Sequence, residues 1–286
     1  MLCFLDETNE ALAGILRPGN AGANTAVDHD TVLDMELAQL PVKPTGLDPD
    51  NGVQMLARAD SAGATHGFVD ALRARGIEFS IGFDVTEDVR LAILSLPKNA
   101  WGEAIRQDCE RREGADVAEL TAYLDLSTWP DGTRAIMRRE EPHPGAQYNL
   151  FDPGGWRHQV CIVDSADPDI SYLEARHRGH ARVEDRIRCG KDTGLRNFPF
   201  HDFAANQAWL EVVLGACDLI AWAQQLCLTG ELAKAEPKRL RYALFHTPGR
   251  DARHARRTVL RLAANWPWAH ELRLAFVRLR KIPRLA

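Results

Sequence analysis

The stretch of residues 53–85 constrains the fold of this chain more than any other. Residues 53–59 form a largely apolar run bounded by turn residues, which predicts a β-strand. Residues 65–75 place Phe68, Val69 and Leu72 at helical spacing, and Gly76 ends this predicted helix. Residues 77–85 predict the next strand. A strand, a helix and a strand in this order indicate a βαβ unit, so we predict a parallel strand pair and an α/β fold.

The segment before this unit predicts a strand pair followed by a helix. Residues 2–5 and 11–16 are short apolar runs separated by a polar turn, as in two strands of a hairpin. Because the sequence opens directly inside a strand, we expect another segment to precede it. Thr25 is a suitable cap for a helix over residues 25–40, which Pro41 ends.

The segments after the βαβ unit change character twice. Residues 88–113 are predicted to be mostly helical, with Trp101 and Ile105 on one face. Residues 121–126, 133–139 and 157–163 alternate like strands, which predicts a small antiparallel β insertion and not a continuation of the α/β layer. Residues 203–228 predict a long helix that is apolar nearly all round, and such a helix is expected to be buried. The segments after it predict a helical C-terminal region.

Composition places the chain among globular proteins of a reducing compartment. Of its 286 residues, 45% are hydrophobic and 26% are charged, which is ordinary for a globular protein. No uninterrupted apolar run approaches the roughly 20 residues of a membrane span, so we expect no membrane association. The six cysteines are scattered without a CxxC pair. They predict thiols in the cytoplasm, with neither a disulfide framework nor a zinc site.

The charges are distributed unevenly along the chain. The net charge is −5, yet from residue 238 to the end the bases far outnumber the two acids, Asp251 and Glu271. A basic C-terminal region indicates a polyanionic partner. The alternative, that these charges are only solvated helix faces, stays open.

A stretch dense in cations, residues 176–191, surrounds one carboxylate, Glu184. If the stretch is one helix, Glu184 and Lys191 are two turns apart, and His177 and His180 share their face. One acid among cations could hold a divalent metal beside a polyanion. A plain surface ion pair with a neighbouring arginine is the alternative. Zinc is disfavoured because no third nitrogen or sulfur ligand has a fitting spacing.

A second carboxylate, Asp60, follows the first strand of the βαβ unit. Ligands of open α/β sheets bind beyond such strand ends, although Asp is also an ordinary turn and N-cap residue. Together, Asp60 and Glu184 suit a pair of Mg²⁺ or Mn²⁺ ions that promote displacement at phosphorus. Trp156 could stack on a base, or it could pack under the β insertion. The chain has no Walker A loop, dinucleotide fingerprint or Gly-x-Ser-x-Gly elbow.

Four sequence segments resemble DDE transposases of bacterial insertion sequences, in the branch with the group 1 transposase DDE domain. They are Phe-Leu-Asp at 4–6, Leu-Arg-Pro-Gly-Asn-Ala-Gly-Ala-Asn-Thr-Ala at 16–26, Arg-Ala-Asp-Ser at 58–61, and Ala-Arg-Val-Glu-Asp-Arg-Ile-Arg at 181–188 with Lys-Asp-Thr-Gly-Leu at 191–195. The resemblance implies a ribonuclease H-like α/β fold, a mixed sheet flanked by helices, with an antiparallel β insertion and a helical C-terminal region. The expected organisation is a catalytic core over 1–116, the insertion over 117–165, the rest of the core over 166–230, and a basic helical region over 231–286.

The same resemblance implies cut-and-paste DNA transposition by three acids that bind two Mg²⁺ or Mn²⁺ ions. Asp60 matches the second Asp and Glu184 matches the Glu. Lys191 keeps the spacing of a phosphate-contacting lysine, whereas His177 and His180 occupy positions where related enzymes carry Tyr and Arg. The expected partners are the transposon ends and target DNA. The residues expected to contact DNA are His177, His180, Arg182, Arg188, Lys191 and Trp156.

The first Asp of the family has no match in this sequence. In the family it lies on a strand upstream of the Phe-Leu-Asp strand, and Asp6 is too close to Asp60 and on the wrong strand to replace it. We therefore expect an N-terminally truncated transposase that binds its metals poorly and is inactive alone. One alternative is a non-catalytic remnant that binds DNA. Another is a remnant that modulates full-length transposase by forming a dimer with it. The chain could also form a homodimer. A weaker alternative is an unrelated metal-dependent nuclease that uses Asp84 or Asp6.

Overall fold

The computed structural model describes residues 1–22, 25–41, 44, 53–142, 153–254 and 256–283. The chain divides into two compact units. The first unit comprises Met1–Leu16 and Val183–Ala286, and the second comprises Arg17–Arg182.

Eighteen strands and helices follow one another along the described residues. The strands are β1 (Leu2–Leu5), β2 (Glu10–Gly14), β3 (Leu56–Ala59), β4 (Glu78–Phe83), β5 (Gly102–Ile105), β6 (Arg111–Glu119), β7 (Arg134–Glu140), β8 (Arg157–Val163), β9 (Gly249–His254) and β10 (Arg257–Leu262). The helices are α1 (Ala26–Gln39), α2 (His66–Ala74), α3 (Glu87–Ser95), α4 (Ile170–Arg178), α5 (Ala181–Gly190), α6 (Phe203–Trp222), α7 (Pro237–Leu240) and α8 (Ala269–Leu279).

The second unit is built on one six-stranded mixed sheet in the order β3-β4-β8-β7-β6-β5. Strands β3 and β4 are parallel, with Ala59 opposite Ile81, and α2 connects them. This confirms the βαβ unit predicted from the sequence. Every other neighbouring pair in the sheet is antiparallel.

The prediction that residues 117–165 form a β layer apart from the α/β sheet is wrong. Strand β8 pairs directly with β4, so that β7, β6 and β5 extend the same sheet. The physical reason is that Val160, Cys161, Ile162 and Val163 are all buried. A strand that is apolar on both faces belongs in the middle of a covered sheet.

The core of the second unit lies between this sheet and its helices. Leu72 and Val69 of α2 are fully buried against Phe79 and Ile81 of β4. Thr65 caps α2, because its hydroxyl oxygen accepts the Phe68 N–H. Full burial of each such side chain contributes about 1.5–3 kcal/mol to folding. The parallel pair that ends at Asp60 therefore has a packed core beneath it.

The prediction that residues 88–113 are mostly helical is also wrong. Helix α3 ends at Ser95, two residues before Pro97, and a 3₁₀ turn leads into β5. Proline disfavours helical backbone in the residue before it, which explains the stop. Ile105 lies in β5, so it shares no helix face with Trp101. The predicted strand over 121–126 is likewise replaced by a 3₁₀ turn.

A buried ion pair fastens α4 to the sheet. Arg138 of β7 is 4% exposed, and its Nε donates to Glu174 of α4 at 2.7 Å. Arg178 also donates to Glu174, at 3.1 Å. Burial raises the pKa of Glu174, and the two guanidinium groups oppose this change. Separating the members of a buried ion pair leaves each charge without its partner, which costs free energy. This pair therefore fixes where α4 lies on β7.

The first unit packs α6 on the β1–β2 hairpin. Leu210 and Leu214 of α6 are buried against it, together with Ala11. The Ala11 N–H donates to Asp218 at 2.7 Å, and the Leu16 N–H donates to Gln207 at 2.8 Å. The predicted strand pair is thus confirmed, and α6 side chains satisfy two backbone donors that the hairpin leaves open.

Helix α6 is not buried all round, contrary to its prediction from composition. Val212 is 63% exposed and Leu219 is 64% exposed, whereas Leu210 and Leu214 on the opposite face are buried. By length and composition alone, Phe203–Cys227 could cross a membrane. Core helices of soluble proteins satisfy the same criterion, and this helix carries Glu211 and Asp218, so we assign it no membrane role.

The C-terminal region is only partly helical, which corrects the predicted helical region. Residues 249–262 form an antiparallel hairpin of β9 and β10, and α8 follows it. Pro248 and Gly249 interrupt the preceding helical turns, and Thr258 and Val259 favour extended backbone. A small core of Leu232, Leu240 and Ala275 holds α7 and α8 together.

Candidate active site

Asp60 stands at the C-terminal end of β3 on the edge of the second unit's sheet. It is exposed and caps a 3₁₀ turn over Ser61–Gly63, in which its Oδ1 accepts the Ala62 N–H at 3.1 Å. Among the described residues it makes no ion pair. The carboxylate is therefore held by its own turn and keeps oxygen atoms that face solvent.

Gly82 on β4 holds the Asp60 turn against the sheet. A Cβ atom on Gly82 would lie 2.9 Å from Ser61 N and 3.2 Å from Asp60 C. Only a glycine allows the turn to pack this closely, and glycine inside a strand often marks such an approach. No motif in the sequence marked this residue, although a glycine inside a predicted strand was an available signal.

Arg58 connects the Asp60 strand to the end of α4. Its Nη1 donates to the Arg176 carbonyl at 2.8 Å, and the same carbonyl accepts the Gly179 N–H at 3.2 Å. A Cβ atom on Gly179 would collide with this guanidinium group. The glycine that follows α4 and the arginine two residues before Asp60 thus accommodate each other.

The expectation of a single helix through residues 176–191 is wrong. Helix α4 ends at Arg178, and α5 begins at Ala181 after Gly179 and His180. Glycine is a poor helix former, and here its missing Cβ makes room for Arg58. His177 therefore belongs to a different helix from Glu184, and the face they were expected to share does not exist.

His177 lies in the interior of the second unit. Its Nδ1 is 2.9 Å from Oγ of Ser80, which is fully buried on β4. Burial, followed by the nearby His180, lowers the pKa of His177 to about 4. The imidazole is therefore neutral near pH 7, and its contact is with the sheet.

Glu184 is exposed in the first turn of α5. The structure gives it no hydrogen bond or ion pair with any described residue. The surface ion pairs of this helix are made by Arg188 instead, with Asp185 and with Glu236, each at 3.1 Å. The plain ion-pair alternative thus applies to Arg188 and not to Glu184.

Lys191 is the first residue of a π-helical turn that directly follows α5, the helix that contains Glu184. It is exposed, and no acid in the described part of the chain pairs with it. Its neighbour Asp192 is held by Lys238 at 2.9 Å and Arg196 at 3.2 Å. The hydrogen bond from Lys238 is the main reason that the pKa of Asp192 is lowered. The charge of Lys191 is therefore not used within the described residues.

Trp156 is half-buried beside β7. The guanidinium carbon of Arg139 lies 4.8 Å from its ring centre and 3.7 Å from that of Trp101. Arg139 also pairs with Asp116 at 2.8 Å. This contact corresponds to the packing alternative for Trp156.

The residues described do not form a complete metal site. No three His, Cys, Asp or Glu side chains among them cluster as metal ligands do. Asp60 belongs to the second unit and Glu184 to the first. Each offers the hard carboxylate oxygen that Mg²⁺ prefers, but neither has two further acids beside it.

The comparison with protein families identifies the chain. The family model described as transposase DDE domain, group 1, matches residues 1–284. No curated protein matches the sequence. Members of this family are DNA-binding transposases, which typically use divalent metals and are generally soluble. Since the match covers nearly every residue, the chain belongs to the group 1 transposase DDE domain family.

Proposed function

We propose that this chain contributes Asp60 and Glu184 as two of the three acids of a cut-and-paste DNA transposase. The observation that carries the proposal is Glu184, a carboxylate without a partner among the described residues, on a cationic helix followed by Lys191. The exposed Asp60, at the C-terminal end of a parallel strand, supports it. The family match supplies the reaction class.

The sheet supports the proposal of a ribonuclease H-like core. Asp60 follows the C-terminal end of β3, which α2 joins to the parallel β4, and α/β folds commonly bind ligands beyond such strand ends. We propose that Arg58 and Gly82 are positioning residues, since they hold the segments on either side of this carboxylate. The division into a catalytic core and a C-terminal region from residue 231 remains a proposal about how the enzyme is organised, with β5–β8 counted as part of the core sheet.

We propose that Lys191, His180 and Arg182 contact the DNA backbone near the scissile phosphate. Lys191 has no competing acid in the described part of the chain. Arg188 could join them only by exchanging Asp185 and Glu236 for phosphate oxygens. We omit His177, because its ring is neutral and bonded to Ser80. We also omit Trp156, which Arg139 covers.

Divalent ions bound by such acids activate water and stabilise an in-line displacement at phosphorus. The described residues supply two carboxylates for this purpose, and no residue of the sequence matches the family's first Asp. We therefore propose that the 286-residue chain alone cleaves DNA poorly. A third carboxylate from another polypeptide segment would complete the site. We also propose that the protein acts in the cytoplasm on transposon ends and target DNA, and that it dimerises with itself or with full-length transposase.

Strand cleavage and joining test this proposal. The chain is incubated with duplex DNA containing the ends of its element and either Mg²⁺ or Mn²⁺. We expect little product from the chain alone, and we expect more product when a separate polypeptide is added that carries the family's first Asp and cleaves nothing by itself. Metal-dependent cleavage by the chain alone that is lost in Glu184→Gln would retain the catalytic role of Glu184 but disprove the need for a third acid. Activity that survives both Glu184→Gln and Asp60→Asn would contradict the site itself.

The second candidate function is that of a non-catalytic DNA-binding protein. The basic C-terminal region favours it, because its cations greatly outnumber Asp251 and Glu271. In that case the chain binds element ends with a steep salt dependence, and Asp60→Asn and Glu184→Gln leave every measurable activity unchanged. Absent or salt-independent binding would exclude this function.

A further inference from the structure

The β9–β10 hairpin is an exposed two-stranded ribbon in the first unit. Its strands pair in regular register from Gly249 opposite Leu262 to His254 opposite Arg257. Arg256 lies in the connecting turn with a φ of 66°. Val259 is 47% exposed and Leu260 is 61% exposed, on opposite faces of the ribbon. Neither face is therefore buried in a core, although isolated two-stranded hairpins are only marginally stable.

One face of this ribbon carries three arginines and no acid. In the register, Arg250 lies directly opposite Arg261, and Arg257 is on the same face because side chains two and four residues apart point the same way. All three are exposed. We call them the arginine face. The opposite face carries the hairpin's only acid, Asp251.

The arginine face lacks compensation within the described residues. None of Arg250, Arg257 and Arg261 makes an ion pair or hydrogen bond there. Like charges directly opposite on an antiparallel ladder destabilise the pair of strands. Arg250 and Arg261 therefore cost the hairpin stability, and this cost is offset when a polyanion binds across both.

We propose that the arginine face of β9–β10 binds the phosphate backbone of duplex DNA, with the ribbon lying in the major groove. Two strands about 4.8 Å apart form a ribbon that fits a groove about 12 Å wide. Arg257 and Arg261 are four residues apart, or roughly 13 Å along the strand. Guanidinium groups bind phosphate oxygens bidentately. Duplex RNA fits poorly, because its major groove is deep and narrow.

This inference rests on the proposed function in one respect, namely that DNA is the substrate. It adds a DNA-binding element that needs neither metal nor the acids Asp60 and Glu184. The arginine face can therefore be tested with EDTA present, under conditions in which no strand cleavage occurs.

The test measures DNA binding of the full chain across salt concentrations in EDTA, with a duplex of arbitrary sequence as the probe. The variant Arg250→Gln/Arg257→Gln/Arg261→Gln removes the three cations. Because each phosphate contact adds about 0.9 to the slope of log K against log salt, we expect the slope to fall by about 2.7. The corresponding Lys variant should retain most of the slope, because it keeps the three charges.

A matched control removes three other exposed cations from the same unit, as Arg273→Gln/Arg280→Gln/Lys281→Gln. It changes the net charge equally, and we expect it to lower the slope by less than 1. An equal loss in both triple variants would mean that net charge alone attracts DNA, which overturns the inference. Duplex RNA that competes as well as DNA would overturn it also.

A single substitution guards against misfolding of the triple variant. Arg250→Gln removes the repulsion across from Arg261, so the hairpin should stay folded while the slope falls by about 0.9. If the wild-type chain does not bind DNA at all, the proposed function fails together with this inference. If the wild type binds and all arginine-face variants bind with the same slope, only the arginine face is refuted.

Discussion

Gly82→Ala is the substitution that most directly probes how the sheet positions Asp60. The added Cβ would lie 2.9 Å from Ser61 N and 3.2 Å from Asp60 C. Carbon atoms pack best at about 3.5–4.0 Å, so the turn must retreat by roughly half an ångström. Both contacting atoms belong to backbone, and no side-chain rotamer change can relieve them. Asp60 therefore has to move with its turn.

The expected change in the free energy of unfolding combines a loss from strain with a smaller gain from replacing glycine by alanine. Overpacking in a well-packed region costs about 1–3 kcal/mol. Replacing glycine by alanine inside a strand by itself stabilises the folded state by up to about 1 kcal/mol. We therefore expect Gly82→Ala to lower the free energy of unfolding by about 1–2 kcal/mol, measured by urea denaturation. The amide resonance of Ala62, whose N–H donates to Asp60 Oδ1, should shift as well.

The matched control is Gly102→Ala, at the start of β5 in the same sheet. There the nearest atom to an added Cβ is a methyl carbon of Val117 at 3.8 Å, an ordinary contact distance. We expect no loss of stability and no shift at Ala62. If Gly82→Ala unfolds at the same urea concentration as wild type and leaves the Ala62 resonance in place, the positioning role of Gly82 is refuted.

Three further predictions test the packing inside each unit. Glu174→Gln removes one of the two carboxylates that pair with the buried Arg138, while Glu140 remains beside the guanidinium group, and it should cost about 1–3 kcal/mol in urea unfolding; a cost below about 0.5 kcal/mol would contradict a stabilising role for the buried Glu174 charge. The pKa of His177 is lowered to about 4 from 6.5 in the folded chain. As the pH falls, this histidine therefore binds a proton in the unfolded chain before it does so in the folded chain. Stability should therefore fall as pH drops from about 6.5 to about 4, by at most about 1.4 kcal/mol per pH unit, and His177→Gln should flatten this part of the pH profile of melting temperature. Leu214→Ala should cost about 2–5 kcal/mol, while the exposed Leu219→Ala should leave the melting temperature nearly unchanged; equal losses would restore the original prediction of a fully buried α6.

Local signals in the sequence were enough to predict the βαβ unit and the first hairpin. The apolar periodicity around Phe68, Val69 and Leu72 and the cap at Thr65 fix α2 without help from distant residues. The Asp60 turn follows from its place at the end of β3. The motif around Glu184 can also be recognised from the sequence alone, because the spacing between Glu184 and Lys191 does not depend on the break between α4 and α5.

Features that depend on distant partners could not be predicted. The break at Gly179 exists because Arg58, more than a hundred residues earlier, occupies the space of a Cβ. The pairing of β8 with β4 is non-local, so alternation alone could not separate an insertion from a sheet extension. Composition made α6 look buried all round, whereas the β1–β2 hairpin covers one face of it.

The central claim is that Asp60 and Glu184 ligate the metal of a transposase. Titration of Mn²⁺ into the chain bound to duplex DNA, followed by electron paramagnetic resonance of the free ion, tests it most directly. Because the chain supplies two of the three acids, we expect its Mn²⁺ binding to be weak. We expect Asp60→Asn and Glu184→Gln each to weaken it further, by at least about tenfold, and the exposed control Asp88→Asn to leave it unchanged. Wild-type Mn²⁺ affinity in both site variants would contradict the claim.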